Sequence, residues 1–101
     1  MHVIVGVFKM DPGKRAEQQV ALHERIIPTL RQMPGFVSST SSYDAATSRS
    51  HSHILFETAA DAERYAAFVR GRGYGDPESN GVAIESLVVA EVIAEAARRA
   101  P

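Results

Sequence analysis

Four residues have side chains whose type and spacing could do chemistry: His23, Tyr65, and the pair His51 and His53. His23 falls on the series Ala16, Val20, His23, Ile27 and Leu30, spaced four, three, four and three, which a helix gathers onto one face. An imidazole aimed inward from that face, with an unperturbed pKa of about 6.5, suits removal of a proton from a phenol or enol near neutral pH. The same position also serves a packed histidine bonded to a backbone carbonyl. Tyr65 lies with Ala62, Ala66 and Val69 on one face of a shorter helix, where its ring packs as core or its hydroxyl orients a ligand oxygen. His51 and His53 alternate on a strand, so both rings leave the same side. A metal needs at least one more ligand. His2 and Glu57 are the candidates, but Glu57 lies at the strand's far end, so no metal site is assigned.

The remaining motifs are weaker. Arg70-Gly71-Arg72-Gly73-Tyr74-Gly75 is one short Arg-Gly tract, which reads as a loop able to cover a pocket mouth. The chain has no phosphate-binding loop, no dinucleotide glycine fingerprint and no Ser-His-Asp order.

Composition narrows the chemistry further. The 101 residues make one domain, 1–101, and 11 basic residues against 12 acidic ones give a net charge of -1. That balance argues against nucleic acid or an anionic membrane as partner. With no Cys there is no disulfide, thiolate metal site, iron–sulfur cluster or cysteine nucleophile, and with no Trp any indole-based mechanism is excluded. The apolar opening Val3–Phe8 meets Lys9 with no basic segment before it, too short for a signal peptide or a span, so a cytoplasmic location is expected.

These residues must be positioned by regular elements, and the pattern supplies six. A strand over His2–Met10 is apolar on both parities and ends at Asp11-Pro12-Gly13. A helix over Lys14–Met33 follows, kinked or broken at Pro28, with Pro34-Gly35 as its stop. Phe36–Tyr43, rich in hydroxyls, reads as an edge strand, joined by a hairpin loop to a strand over Arg49–Glu57. Thr58-Ala59-Ala60-Asp61 resembles a capping box opening a helix to Arg70. Val82–Ile93 is a last strand, again apolar on both faces, and Ala94–Ala100 reads as a short exposed helix. The order β-α-β-β-α-β is the ferredoxin-like split βαβ arrangement, an α+β fold with a four-stranded antiparallel sheet. Two helices cover one sheet face. Strands apolar on both sides need cover on the other, and a second copy of the chain, forming a homodimer, is the simplest one.

The sequence resembles the dimeric α+β barrel superfamily, and within it the antibiotic-biosynthesis-monooxygenase domains. The residues that carry the resemblance are Val7–Lys14, Ile27-Pro28-Thr29 leading into Met33–Val37, Leu55–Thr58 running into Asp61-Ala62, and Glu85–Ile93. The resemblance implies a pocket between helices and sheet for an aromatic or polyketide-like small molecule, oxidised with O2 and no cofactor. It places His23 and Tyr65 in catalytic roles, with Gly6, Ile27, Phe56 and Phe68 around the ligand. The chain departs from the family's haem degraders, which carry Asn where Gly6 stands and a ligating His on the second helix, since residues 58–70 contain no His. The Trp that many catalytic members carry at the position of Phe56 is also missing, as is much of the quinone-forming set, for which only Tyr65 and one of Arg64 and Arg70 stand in. A second reading, a non-catalytic ligand-binding or stress-associated dimer, therefore stays beside the monooxygenase one.

Overall fold

In the computed structural model, which describes residues 1–72 and 80–98, the doubly apolar strand β1 (His2–Met10) lies inside the sheet. It pairs antiparallel with β3 (Arg49–Phe56) on one side and β4 (Val82–Glu91) on the other. β2 (Phe36–Asp44) takes the outer edge beside β3, giving the ferredoxin-like order β2-β3-β1-β4. The hairpin between β2 and β3 turns on Asp44, whose carboxylate accepts from the Thr47 hydroxyl at 2.9 Å and the Ala46 N–H at 3.0 Å. These two bonds, the Thr47 one foremost, hold its carboxyl below the ordinary aspartate pKa.

Even-numbered residues of β1 and β3 face the helices. Ile4, Ile54 and Phe56 there join Leu30, Ala62, Tyr65, Ala66 and Val69 as the buried core. The Phe56 ring, fully buried, meets Phe36 edge-on at 6.1 Å and Tyr65 at 5.8 Å. The second long helix, α3 (Ala59–Arg70), supplies Ala62, Tyr65, Ala66 and Val69 from its buried face. Thr58 caps it as the sequence predicts, accepting from the Asp61 N–H at 3.1 Å. Asp61 also presses on Gly35, where φ is +77° and a Cβ would run into its carboxylate, so only glycine closes that turn.

The first helical arm departs from the continuous helix that periodicity predicts. It runs as a 3-10 turn (Pro12–Lys14), α1 (Arg15–Ala21), a π turn (Leu22–Ile26) and α2 (Ile27–Arg31). The cause is Pro28, which has no N–H and whose ring would strike the Glu24 carbonyl in a regular helix. One wider turn just upstream relieves the conflict, and the Ile27 N–H donates to the Leu22 carbonyl five residues back. One extra residue per turn rotates everything upstream by about 100°. Val20, predicted inward, is consequently 54% exposed, and Ala16 is exposed as well. Gln18 is buried instead, and Arg15, Gln19 and Leu22 border the cavity beneath the arm.

Among the described residues the far face of the sheet carries no helix. Val3, Val5, Val7 and Leu55 are half-buried there, Val88 is 54% exposed, and His51 and His53 stand among them, each paired in register with a valine of β1. Residues 92–98 carry no helix, which corrects the predicted terminal helix over its described part; residues 99–101 lie outside the described residues. So do residues 73–79, and with them half of the Arg70–Gly75 tract read as a pocket cover.

Burial separates two of the aromatic residues that sequence reasoning grouped together. Phe56→Ala should cost about 3–5 kcal/mol in urea denaturation, the usual price of emptying a closed core. Phe68, 42% exposed on α3, should cost about 1 kcal/mol or less when truncated.

Candidate functional site

The helical arm meets the sheet at its ends and stands off it in the middle. α2 sends Leu30 into the core, the π turn buries nothing, and the one buried residue of α1 is polar Gln18. That amide is fixed by two bonds from its Nε2, to the Asp11 and Asn80 carbonyls at 3.0 Å each. Between these two anchors lies a cavity of about 510 Å³.

Its floor is the sheet. Ile4, Gly6 and Phe8 come from β1, Ser50, Ser52 and Ile54 from β3, and Ser39 and Ser41 from β2. The serines alternate along strands that pair in register, so their hydroxyls rise on the same side, and Ser41 Oγ lies 3.1 Å from Ser52 Oγ. At Gly6 an added Cβ would meet the Phe8 ring at 2.8 Å and Leu87 Cδ1 at 3.2 Å, so glycine lets that ring fold over the strand. Leu22, His23, Ile26 and Ile27 form the roof, and Tyr65 and Val69 of α3 close one side. At another side the Arg15 guanidinium stacks over the Tyr43 ring, 3.5 Å from its centroid.

The charge of the lining is one-sided. Arg15, Arg25 and Arg72 line it with His23, and no Asp or Glu does so among the described residues. The protein as a whole is slightly acidic, so this cationic cavity is local, and it favours a ligand carrying negative charge on an apolar body.

Of the six residues that the sequence placed at the site, four line this cavity: His23, Tyr65, Gly6 and Ile27. Tyr65 is buried, whereas His23 is exposed and borders the cavity from the displaced π turn. Phe56 and Phe68 do not line it. Phe56 sits a layer behind, in the aromatic stack, and Phe68 lies towards solvent with the Arg72 guanidinium 5.5 Å from its ring. Sequence reasoning missed Arg15, Gln18 and the serine floor. The signal for the serines was their alternation, read there only as a wet edge. Among the described residues no three His, Asp or Glu side chains gather as metal ligands, and His51 and His53 lie on the opposite face of the sheet. No helix among the described residues is long and apolar enough to cross a membrane.

No family model matches the sequence, and no curated protein does. Solved structures do match. The haem degrader MhuD of Mycobacterium tuberculosis, with two haems bound in its active site, superposes with a TM-score of 0.72 at 16% identity, over 96% of this chain and 100% of that one. A monooxygenase from the ActVA-Orf6 gene of Streptomyces coelicolor, in complex with nanaomycin D, gives 0.64 at 16% identity, over 97% and 92%. At such identities the likeness speaks for the fold. The chain has the ferredoxin-like α+β fold, as the likeness to this haem degrader and this monooxygenase supports.

Proposed function

We propose that the chain binds an aromatic or polyketide-like small molecule in the cavity between arm and sheet, and oxidises it with O2 as a homodimer. The observation that carries this reading is the cavity itself: about 510 Å³, apolar over much of its wall, with His23 and Tyr65 both on its lining. In this reading His23 takes the proton of a phenol and Tyr65 orients an oxygen of the ring. The electron-rich phenolate then adds O2 at a ring carbon. Loss of water from the resulting peroxide leaves a quinone, so one oxygen atom ends on carbon and the other in water.

The haem of MhuD does not fit the donor set here. His23 is the one imidazole on the described cavity lining, it is exposed, and α3 carries none. No step is therefore routed through haem. Ligand binding without turnover is the second reading, favoured by the exposure of His23, since a base open to solvent is less well shielded for proton abstraction.

The homodimer is supported by the uncovered sheet face, where Val3, Val5, Val7, Leu55 and Val88 form an apolar patch that a second sheet would bury. Light scattering after size exclusion should return about twice the 11.0 kDa chain mass, and Val5→Lys with Val88→Lys should return the single chain. A soluble wild-type monomer would remove the dimer.

Catalysis is tested by O2 uptake with a panel of dihydroxynaphthalenes. His23→Ala should lower the rate by about 10²–10⁴-fold, the usual contribution of a positioned base. Equal rates would take His23 out of the mechanism, and binding with no uptake would favour the second reading.

A further inference from the structure

The cavity floor is not uniform, and the register of the sheet shows how it is divided. From β2 through β3 to β1, one helix-facing row reads Tyr43, Ser50 and Phe8, and the next reads Ser41, Ser52 and Gly6. Hydroxyls therefore stand on β2 and β3, while on β1 the Phe8 ring folds over Gly6 and offers only carbon. Ser52 is buried and Ser41 exposed, so Ser41 presents the hydrogen-bonded pair to the cavity it lines. Their mutual bond uses one of two hydroxyl protons and leaves the other for a ligand oxygen.

A cation closes this strip at the Tyr43 row. The Arg15 guanidinium carbon lies 3.5 Å from the centre of the Tyr43 ring, and both residues are half-buried on the cavity lining. At that separation a planar group must lie flat on the ring, which directs its N–H donors outward around its rim. The two ion pairs among the described residues, Arg49 with Glu85 and Arg64 with Asp61, give Arg15 no carboxylate. Arg25 and Arg72 also line the cavity, but Arg25 is exposed, and Arg72 is 5.5 Å from the ring of solvent-facing Phe68. Arg15 is the cation already held in place, so it loses little freedom on meeting an anion.

We infer that the cavity selects an aromatic carboxylate and fixes its orientation: carboxylate on the rim of Arg15, a ring hydroxyl on Ser41, and bare ring over Phe8 and Gly6. The inference rests on the aromatic-binding reading above and adds the ligand's charge and the side on which its oxygens lie. A carboxylate is the anion that suits this cation, because paired N–H groups in one plane match its two oxygens. Arg15 and Ser41 act here as specificity determinants. Each discriminates against an analogue that leaves its polar group unmatched.

The test measures affinities by calorimetry for naphthoate, naphthamide, and a hydroxynaphthoate whose hydroxyl is on the ring remote from the carboxylate. Wild type should bind naphthoate about tenfold more tightly than the neutral amide, the usual worth of a charge-assisted hydrogen bond. Arg15→Gln should erase that preference, and Arg25→Gln should keep it. The added hydroxyl should tighten binding about two- to tenfold in wild type and in Thr40→Ala, which alters the opposite sheet face, but not in Ser41→Ala. Equal binding of naphthoate and naphthamide by wild type would overturn the inference and leave an aromatic site in place, and this comparison needs no variant to fold. A preference that survives Arg15→Gln, or a hydroxyl gain that survives Ser41→Ala, would overturn it equally. If no member binds, the aromatic site falls and the inference with it.

Discussion

The arm from Arg15 to Arg31 bridges the sheet because a single proline within it forbids regular helical geometry, and the cavity, its charge and its polar groups follow from that constraint. Had the helix been continuous, Val20 would have faced the sheet as the stripe demands, and an apolar side chain would have occupied the space below. The π turn ahead of Pro28 instead rotates the upstream segment by about one residue's worth of helix, about 100°. Gln18 and Arg15 come to the inner side, and neither fills a cavity as a branched apolar residue would. The protein buries less apolar surface under its first helix than its sequence pattern promises. What it gains is a cavity with polar groups on its lining.

α3 shows the contrasting solution. Its face of Ala62, Tyr65, Ala66 and Val69 lies directly on Ile4, Ile54 and Phe56, with small residues letting the helix approach and the aromatic rings filling what remains. One helix makes the core and the other makes the room. Tyr65 belongs to both, since its ring stacks on Phe56 while the residue also lines the cavity.

The fold was legible because its signals are redundant. β1 is apolar at every parity, Pro34-Gly35 and Asp11-Pro12-Gly13 punctuate the chain, and Thr58 with Asp61 marks the start of α3, so pattern, caps and turns agree. The site was legible only in part, and the misses along the helical arm share one physical origin. Reading Ala16, Val20 and His23 as inward assumes a constant period of 3.6 residues per turn. Pro28 was seen as a break, but a break resolved by an inserted residue shifts the phase of everything before it. Moving each predicted inward position upstream of Ile27 back by one gives Arg15, Gln19 and Leu22, all of which line the cavity. Phe56 lies behind the cavity for a different reason: apolarity identifies an inward residue but not whether it fills the core or faces an opening. The serines of β2 and β3 were equally ambiguous, since alternation tells which residues share a face but not which face is enclosed.

The two anchors of the arm differ in kind. At the Leu30 end the chain passes through the Gly35 turn, where the Asp61 carboxylate that presses on Gly35 is also bonded to the Thr58 cap of α3, and the Glu57 N–H donates to the Gly35 carbonyl at 2.9 Å. Shifting this end means disturbing the start of a second helix. At the other end the chain joins β1 through the Pro12–Lys14 turn, where the Lys14 N–H donates to the Asp11 carbonyl at 3.1 Å, and the Gln18 amide adds two hydrogen bonds, each worth about 0.5–1.5 kcal/mol net. The arm is therefore held firmly at its Gly35 end and by a lighter latch at Gln18. Local opening should begin at that latch, well below the free energy of global unfolding.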